Sequence, residues 1–230
     1  MKDIFGQALF DHYKKSNPSK LWIHNRYGPK EEMPLDVYFR TEVEMPDLEL
    51  LALGKCTGKV LDIGAGAGTH ALLLQDKGLD VTAMDISALA VTIMQQRGIK
   101  QALEADIFSY DGEKYDTLLL MMNGIGLCGT IQKLRLFLQH AKHLLNEGGQ
   151  LLFDSSDIAY LYDGAAPGGD DYYGELLYQY AYKGQKTEWF KWLYIDQVML
   201  SRIAAENGWV AEVLYEDEMD QYLAKLTPIF

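Results

Sequence analysis

The strongest constraint on this chain lies in residues 60–70, which read Val60-Leu61-Asp62-Ile63-Gly64-Ala65-Gly66-Ala67-Gly68-Thr69-His70. A short apolar run that enters a glycine loop and leaves it as a helix is the opening unit of an α/β fold. Glycines there let the backbone pass close to a bound nucleoside, and the amides at the helix N-terminus face the ligand. The following residues keep the alternation. Residues 71–77 read as a helix stopped by Gly78 and residues 80–84 as a strand. Asp85 and Ser87 are placed to start a helix that stops at Gly98. Residues 115–122 form an apolar strand. A long amphipathic helix through Leu134, Leu138, Ala141 and Leu145 precedes Gly148-Gly149, and residues 150–153 form another strand. Apolar strands alternating with helices predict a parallel sheet covered on both faces.

Asp62 narrows the choice of ligand. A dinucleotide places pyrophosphate over this turn, where a carboxylate two residues before the first glycine adds unfavourable charge. Thr69 also stands where the dinucleotide spacing expects Gly or Ala. Both features argue against a NAD-dependent dehydrogenase. The loop lacks a Gly-Lys-Ser/Thr ending, which removes a phosphate-binding P-loop. A ligand with a sulfonium and an ammonium group, in contrast, is attracted to that carboxylate. Asp85 follows 21 residues after Gly64 and can accept from both ribose hydroxyls; Asp106 lies a further 21 residues on and can accept from an adenine amino group.

Taken together, residues 58–155 resemble the class I S-adenosylmethionine-dependent methyltransferase family. Residues Asp62 to Gly68 resemble its first motif, Asp85 its acidic second-strand position, Asp106-Ile107 its adenine position and Asn123-Gly124 the end of its fourth strand. The resemblance implies a doubly wound, Rossmann-like, seven-stranded and mostly parallel sheet with an antiparallel seventh strand. It also implies S-adenosyl-L-methionine as cofactor and S-adenosyl-L-homocysteine as product. The cofactor-binding residues it implies are Asp62, Gly64, Ala65, Gly66, Gly68, His70, Asp85, Ile86, Asp106, Ile107, Asn123 and Gly124. A catalytically silent domain that binds the same cofactor as a sensor would carry the same motifs.

Flanking segments are expected to shape the acceptor side. Residues 1–57 read as a mostly helical cap, with Asp3 capping a first helix and Pro46 opening a second. Residues 58–230 read as the methyltransferase domain, with an inserted loop and β-hairpin at about 155–194. The hairpin, turning at Lys183-Gly184-Gln185-Lys186, carries Tyr178, Tyr180, Tyr182, Phe190, Trp192 and Tyr194 on one face. That face either roofs a pocket or packs on the core or on a second subunit. Asp196 can cap a last helix, and two strands near 210–215 and 221–226 complete the pattern. Candidate acceptor contacts are Tyr27, Tyr38, Arg40, Ser155 and Trp192. Asp154 is the candidate base, with His24 and His70 as other proton acceptors. An ion pair with Glu42 or Glu44 is the alternative reading of Arg40. The fourth-strand motif Met122-Asn123-Gly124-Ile125-Gly126 departs from the Asn/Asp-Pro-Pro-Tyr/Phe pattern of enzymes that methylate adenine or glutamine. Together these features predict transfer to oxygen or nitrogen of a small molecule.

Composition sets the remaining expectations. A net charge of −12 disfavours nucleic acid as a partner. No apolar run approaches the roughly 20 residues of a membrane span. No signal-peptide pattern opens the sequence, and Cys56 and Cys128 are too few for a disulfide framework, so a cytoplasmic protein is expected. Cys128 reads as buried packing. His140 and His143 lack a carboxylate partner, so no metal is expected. A monomer or homodimer fits these features.

Overall fold

The computed structural model describes residues 3–16, 19–162 and 172–229. Chain order is α1 (Ile4–Tyr13), β1 (Leu21–Asn25), β2 (Glu31–Met33), α2 (Asp47–Lys55), β3 (Lys59–Ile63), α3 (Thr69–Asp76), β4 (Asp80–Asp85), α4 (Ala88–Arg97) and β5 (Gln101–Glu104). It continues with β6 (Tyr115–Leu120), α5 (Ile131–Leu144), β7 (Leu145–Ser156), β8 (Glu175–Tyr182), β9 (Gln185–Lys186), β10 (Phe190–Leu193), α6 (Gln197–Glu206), β11 (Trp209–Glu216) and β12 (Gln221–Pro228).

Seven strands form one sheet in the order β11-β12-β7-β6-β3-β4-β5. Pairs β7–β6, β6–β3, β3–β4 and β4–β5 are parallel, whereas β12 runs antiparallel to both β7 and β11. The order reverses between β3 and β6, so the crevice above their C-terminal ends is the switch point where ligands bind in such sheets. The central strands are buried on both faces. Leu61, Leu118 and Leu151 belong to one apolar cluster, and Val60, Leu119 and Leu152, which alternate with them, belong to another. Helix α5 shows how the apolar stripe decides burial: Leu134, Phe137, Leu138 and Ala141 are buried against the first cluster, and Thr130 caps it by accepting from the Lys133 amide at 3.1 Å.

Five shorter strands form a second, antiparallel sheet in the order β10-β8-β1-β2, with β9 also paired to β8. The turn at Lys183 (φ 46°) and Gly184 (φ 74°) puts two successive residues in the left-handed region, the geometry a two-residue hairpin requires. Strands β1 and β2 depart from the helical reading of residues 1–57. Between the two expected helices the chain forms a hairpin that joins β8, with Trp22 opposite Ala181 and Ile23 opposite Tyr180. Pairing with β8 satisfies backbone groups that the polar local sequence leaves open. Helix α1 is capped as expected, Asp3 accepting from the Gly6 amide at 2.8 Å, and Ile4, Ala8 and Leu9 pack with Leu21, Ile93 and Tyr182 in a third cluster. That cluster joins the small sheet to α4 and to Ala67 of the glycine loop. Among the described residues no helix is long and apolar enough to cross a membrane.

Candidate cofactor and acceptor site

Strands β3, β4, β5 and β6 deliver their C-terminal loops to one cavity of about 810 Å³, and the small sheet closes its far side. The glycine loop forms one wall. Gly64, Gly66 and Gly68 all have positive φ (72°, 57° and 78°), a region where side chains are strained. A Cβ at Gly64 would meet nothing nearer than Leu127 at 4.0 Å, so the loop leaves open space above it. Gly68 does not line the cavity; it begins α3 on the opposite side, where a Cβ would lie 2.9 Å from Met94.

Acidic groups are distributed along this wall. Asp62 is 2% exposed, and its Oδ2 has no hydrogen-bond partner. Burial pushes its carboxyl up to about 6, against the pull of His70 and the Ala71 amide. Asp85 accepts from the Ser87 amide at 2.8 Å and from the Gly66 amide at 2.9 Å, so one carboxylate ties the loop to the start of α4. Burial raises it as well, with those amides opposing. Ser87 donates to Asp3 at 2.5 Å, which fastens the first turn of α1 beside the same acid. Ile86 is 72% exposed at the rim, Ile107 is buried, and Asp106 uses one oxygen to hold the Phe108 amide at 3.0 Å. Two exposed apolar residues, Ile86 and Phe108, line this part of the cavity.

At the end of β6, Met122 and Asn123 both take positive φ (62° and 54°), an unusual pair for non-glycine residues. Asp154 holds this turn: both its oxygens accept from the Asn123 amide, at 2.9 and 2.8 Å, and Gln221 donates to it at 3.0 Å. The Asn123 side-chain oxygen is buried without a partner, while its amide nitrogen reaches the Leu193 carbonyl at 3.3 Å. The facing wall is aromatic. Tyr178, Tyr180, Phe190 and Trp192 of the small sheet and Tyr194 just after it line the cavity, joined by Phe5 and Tyr38. Trp192 packs so closely on the loop after β6 that a Cβ at Gly126 would sit 2.0 Å from its Nε1.

A family model described as a methyltransferase domain matches residues 39–213. The crystal structure of a SAM-dependent methyltransferase from Bacteroides fragilis in complex with S-adenosyl-L-homocysteine superimposes at a TM-score of 0.92, with 40% identity over 100% of this chain and 96% of that one. The chain belongs to the SAM-dependent methyltransferase family. The methyltransferase also shares its fold with CcbJ from Streptomyces caelestis (TM-score 0.68, 14% identity, covering 99% of this chain and 98% of that one). It further shares it with the sugar N-methyltransferase KedS8 from Streptoalloteichus sp (TM-score 0.57, 14% identity, covering 87% and 96%). No curated protein matches the sequence.

The cofactor is S-adenosyl-L-methionine, and the cavity of the methyltransferase suits it. An unpartnered carboxylate oxygen at Asp62 suits an ammonium group, the glycines leave room for backbone approach, and no basic side chain lies on the loop to hold a phosphate. Of the residues expected from the sequence to bind it, Asp62, Gly64, Ala65, Gly66, His70, Asp85, Ile86, Asp106, Ile107, Asn123 and Gly124 line the cavity, and Gly68 supports it from behind.

The acceptor candidates divide. Tyr38 and Trp192 line the cavity. Tyr27 is instead 45% exposed and packs edge-on to Tyr162. Arg40 pairs with neither Glu42 nor Glu44 nor a cavity group; it is bonded to buried Glu49, whose other oxygen lies 2.8 Å from His70 Nε2. Burial pushes Glu49 up, but His70 and Arg40 outweigh it and leave it below its usual range. Ser155 is fully buried and accepts from the Ile195 amide at 3.0 Å. Asp154 is 1% exposed and does not reach the cavity, because the strand carries it beneath the Asn123 turn rather than above it. His24 also lies off the cavity, alternating on β1 with Ile23, which lines it. Both cysteines are buried and free. Among the described residues no group of three His, Cys, Asp or Glu could hold a metal ion. Sequence reasoning missed Asp3, Phe5, Glu49 and Met33. Only Asp3 carried a signal, and that signal was of a helix cap.

Proposed function

We propose that this methyltransferase transfers a methyl group to an oxygen or nitrogen of a small molecule held between the glycine loop and the aromatic sheet. The observation that carries the reading is the shared cavity, whose acidic, glycine-lined wall faces an aromatic wall from a separate sheet. When bound, the cofactor supplies a methyl group on a sulfonium, activated for in-line displacement.

Asp62 with Gly64, Ala65 and Gly66 holds the methionine end, Asp85 accepts from the ribose hydroxyls, and Ile86, Asp106 and Ile107 hold the adenine. Asn123 and Gly124 border the transferred methyl group. His70, fixed by Glu49, stands beneath the loop, with Arg40 anchoring Glu49 from behind. Helix α1 and the small sheet exclude water from the reacting centre, which strengthens alignment as the main source of rate. Net charge of −12 supports an acceptor other than nucleic acid, and the two free, buried cysteines suit a cytoplasmic protein. We read the working unit as a monomer or homodimer.

Calorimetric titration with S-adenosylmethionine, S-adenosylhomocysteine and NAD, followed by S-adenosylhomocysteine release in an acceptor panel, tests the reading. Binding of the first two and turnover with a small acceptor are expected. Binding without turnover on any small molecule, but with turnover on protein or nucleic acid, would overturn it.

A further inference from the structure

We propose that the acceptor is an amine attached to a flat apolar group, bound against the aromatic wall and methylated on nitrogen without a general base from the protein. This rests on the functional reading above and specifies its substrate class.

The wall is one continuous chain of rings. Phe5 packs edge-on to Tyr38 at 5.2 Å and stacks on Tyr180 at 5.5 Å; Tyr180 meets Phe190 at 5.1 Å, and Phe190 meets Trp192 at 6.4 Å. All five line the cavity; the Tyr38 ring sits against the glycine loop itself, 3.7 Å from where a Cβ at Gly66 would stand, so the chain of rings reaches from the small sheet to that loop. Electron-rich ring faces attract a cation and offer nothing to a carboxylate or phosphate. Lys191, Lys133 and, on the glycine-loop side, Glu49-bound His70 are basic groups that line the same cavity. Lys191 is paired with Glu175 at 2.9 Å, and Lys133 lies exposed in the first turn of α5. An anionic acceptor laid against the rings would therefore lose its hydration without gaining a partner from them.

Proton chemistry points the same way. An alcohol or phenol must lose its proton to attack well, and the aromatic wall has no group to take it. Its hydroxyls are held protonated, because burial raises Tyr38, Tyr178, Tyr180 and Tyr194 above the ordinary tyrosine range. Asp154 is beneath the Asn123 turn, and the His70 Nε2 on the opposite wall is engaged by Glu49. A neutral amine already carries the lone pair it needs. That lone pair forms the N–C bond while the bonding pair of the methyl–sulfur bond returns to sulfur; a primary or secondary amine then releases one proton to water. Positive charge thus moves onto nitrogen during the step, and the rings stabilise it more in the transition state than in the neutral reactant.

The test uses benzylamine, benzyltrimethylammonium and phenylacetate, titrated into the full-length protein saturated with S-adenosylhomocysteine. Both nitrogen probes are expected to bind about tenfold or more tightly than phenylacetate. Phe190→Leu and Tyr180→Leu should each weaken benzyltrimethylammonium about fivefold, Tyr180→Phe should leave it unchanged, and none should alter S-adenosylhomocysteine affinity by more than about twofold. With amine acceptors of different basicity, kcat/KM should break at each amine's own pKa. Preferred binding of phenylacetate, or a pH break that stays fixed across the amines, would overturn the proposal while leaving the methyltransferase reading intact. Failure of the unaltered protein to bind S-adenosylhomocysteine would instead defeat the cofactor assignment, and the proposal with it.

Discussion

The glycine-loop wall of the cavity and the aromatic wall facing it are assembled differently. The first is made by backbone: Gly64 and Gly66 at positive φ with Gly68 behind them, a carboxylate below and an acid at the end of the next strand, all within residues 62–85. The second is made by side chains brought from residues 5, 23 and 38 and from 178–194, held together by the pairing of β8 with β1 and β10 and by the packing of α1 on that sheet. A wall of backbone and carboxylates suits one invariant ligand, because little in it can be resized. A wall of side chains on exchangeable strand positions suits a ligand that differs between relatives. Substitutions should therefore separate the two binding steps.

The largest expected effect falls on the backbone wall. Asp85→Ala removes the proposed ribose acceptor and also releases the Gly66 and Ser87 amides. Cofactor affinity should fall by about 1.5–3 kcal/mol, the usual loss for hydrogen bonds to a charged group. Calorimetry with S-adenosylhomocysteine measures this; unchanged affinity in a folded variant would break the division at its firmest point. Next comes the seam between the walls. In Gly126→Ala the new methyl group would overlap the Trp192 indole, which must swing away from the cavity. A cost of about 1–3 kcal/mol in stability is expected for such overpacking, with acceptor KM raised and cofactor affinity retained. Equal losses in both affinities would show that the walls act as one unit.

The smallest effect concerns Asp62 and carries a sign. Its folded-state pKa of about 6 lies above the ordinary value of 3.8, so the folded protein holds this proton more tightly than the unfolded chain. The associated stability is complete below about pH 4 and is lost as pH rises through about 6. Asp62→Asn should therefore stabilise the cofactor-free protein by about 1–2 kcal/mol at pH 7.5, an advantage that vanishes below about pH 4. The amide left without a partner offsets part of the gain. Cofactor affinity should respond in the opposite sense. In the unaltered protein it should weaken as pH falls below about 6, whereas the variant should bind weakly at every pH. Thermal melts and titrations between pH 4 and 8 check both.

The same division explains what could be read from the sequence. Residues 60–70 form a contiguous strand, loop and helix, so their local pattern was sufficient, and Asp85 and Asp106 follow at the ends of the next strands. Strand β1 was not legible. Beyond its short hairpin with β2, four of its five residues pair with residues 178–181, more than 150 positions away, and no local period announces such pairing. Strand β5 escaped for a related reason: it is a four-residue edge strand with no fully buried position. Asp154 was expected to follow its strand at the ligand-binding edge of the sheet; it lies instead within β7, opposite Leu223, and sequence does not tell whether such a carboxylate faces a cavity or supports a neighbouring turn from beneath. The partner of Arg40, Glu49, lies nine residues away on α2, within reach only after the chain folds back.

The pairing of Trp22 with Ala181 also sets an order of events during synthesis. Strand β1 leaves the ribosome early and must wait for β8, an interval of about 8–30 s at common elongation rates of about 5–20 residues per second. Throughout that wait the exposed edge of β1 and the apolar side of α1 have no permanent cover, and the loop-closure entropy of a long chain opposes early pairing. The glycine loop and its acids can form in the nascent chain well before the aromatic wall exists. Cofactor present at that stage would meet an open crevice, and enclosure of the reaction chamber would be among the last steps of maturation.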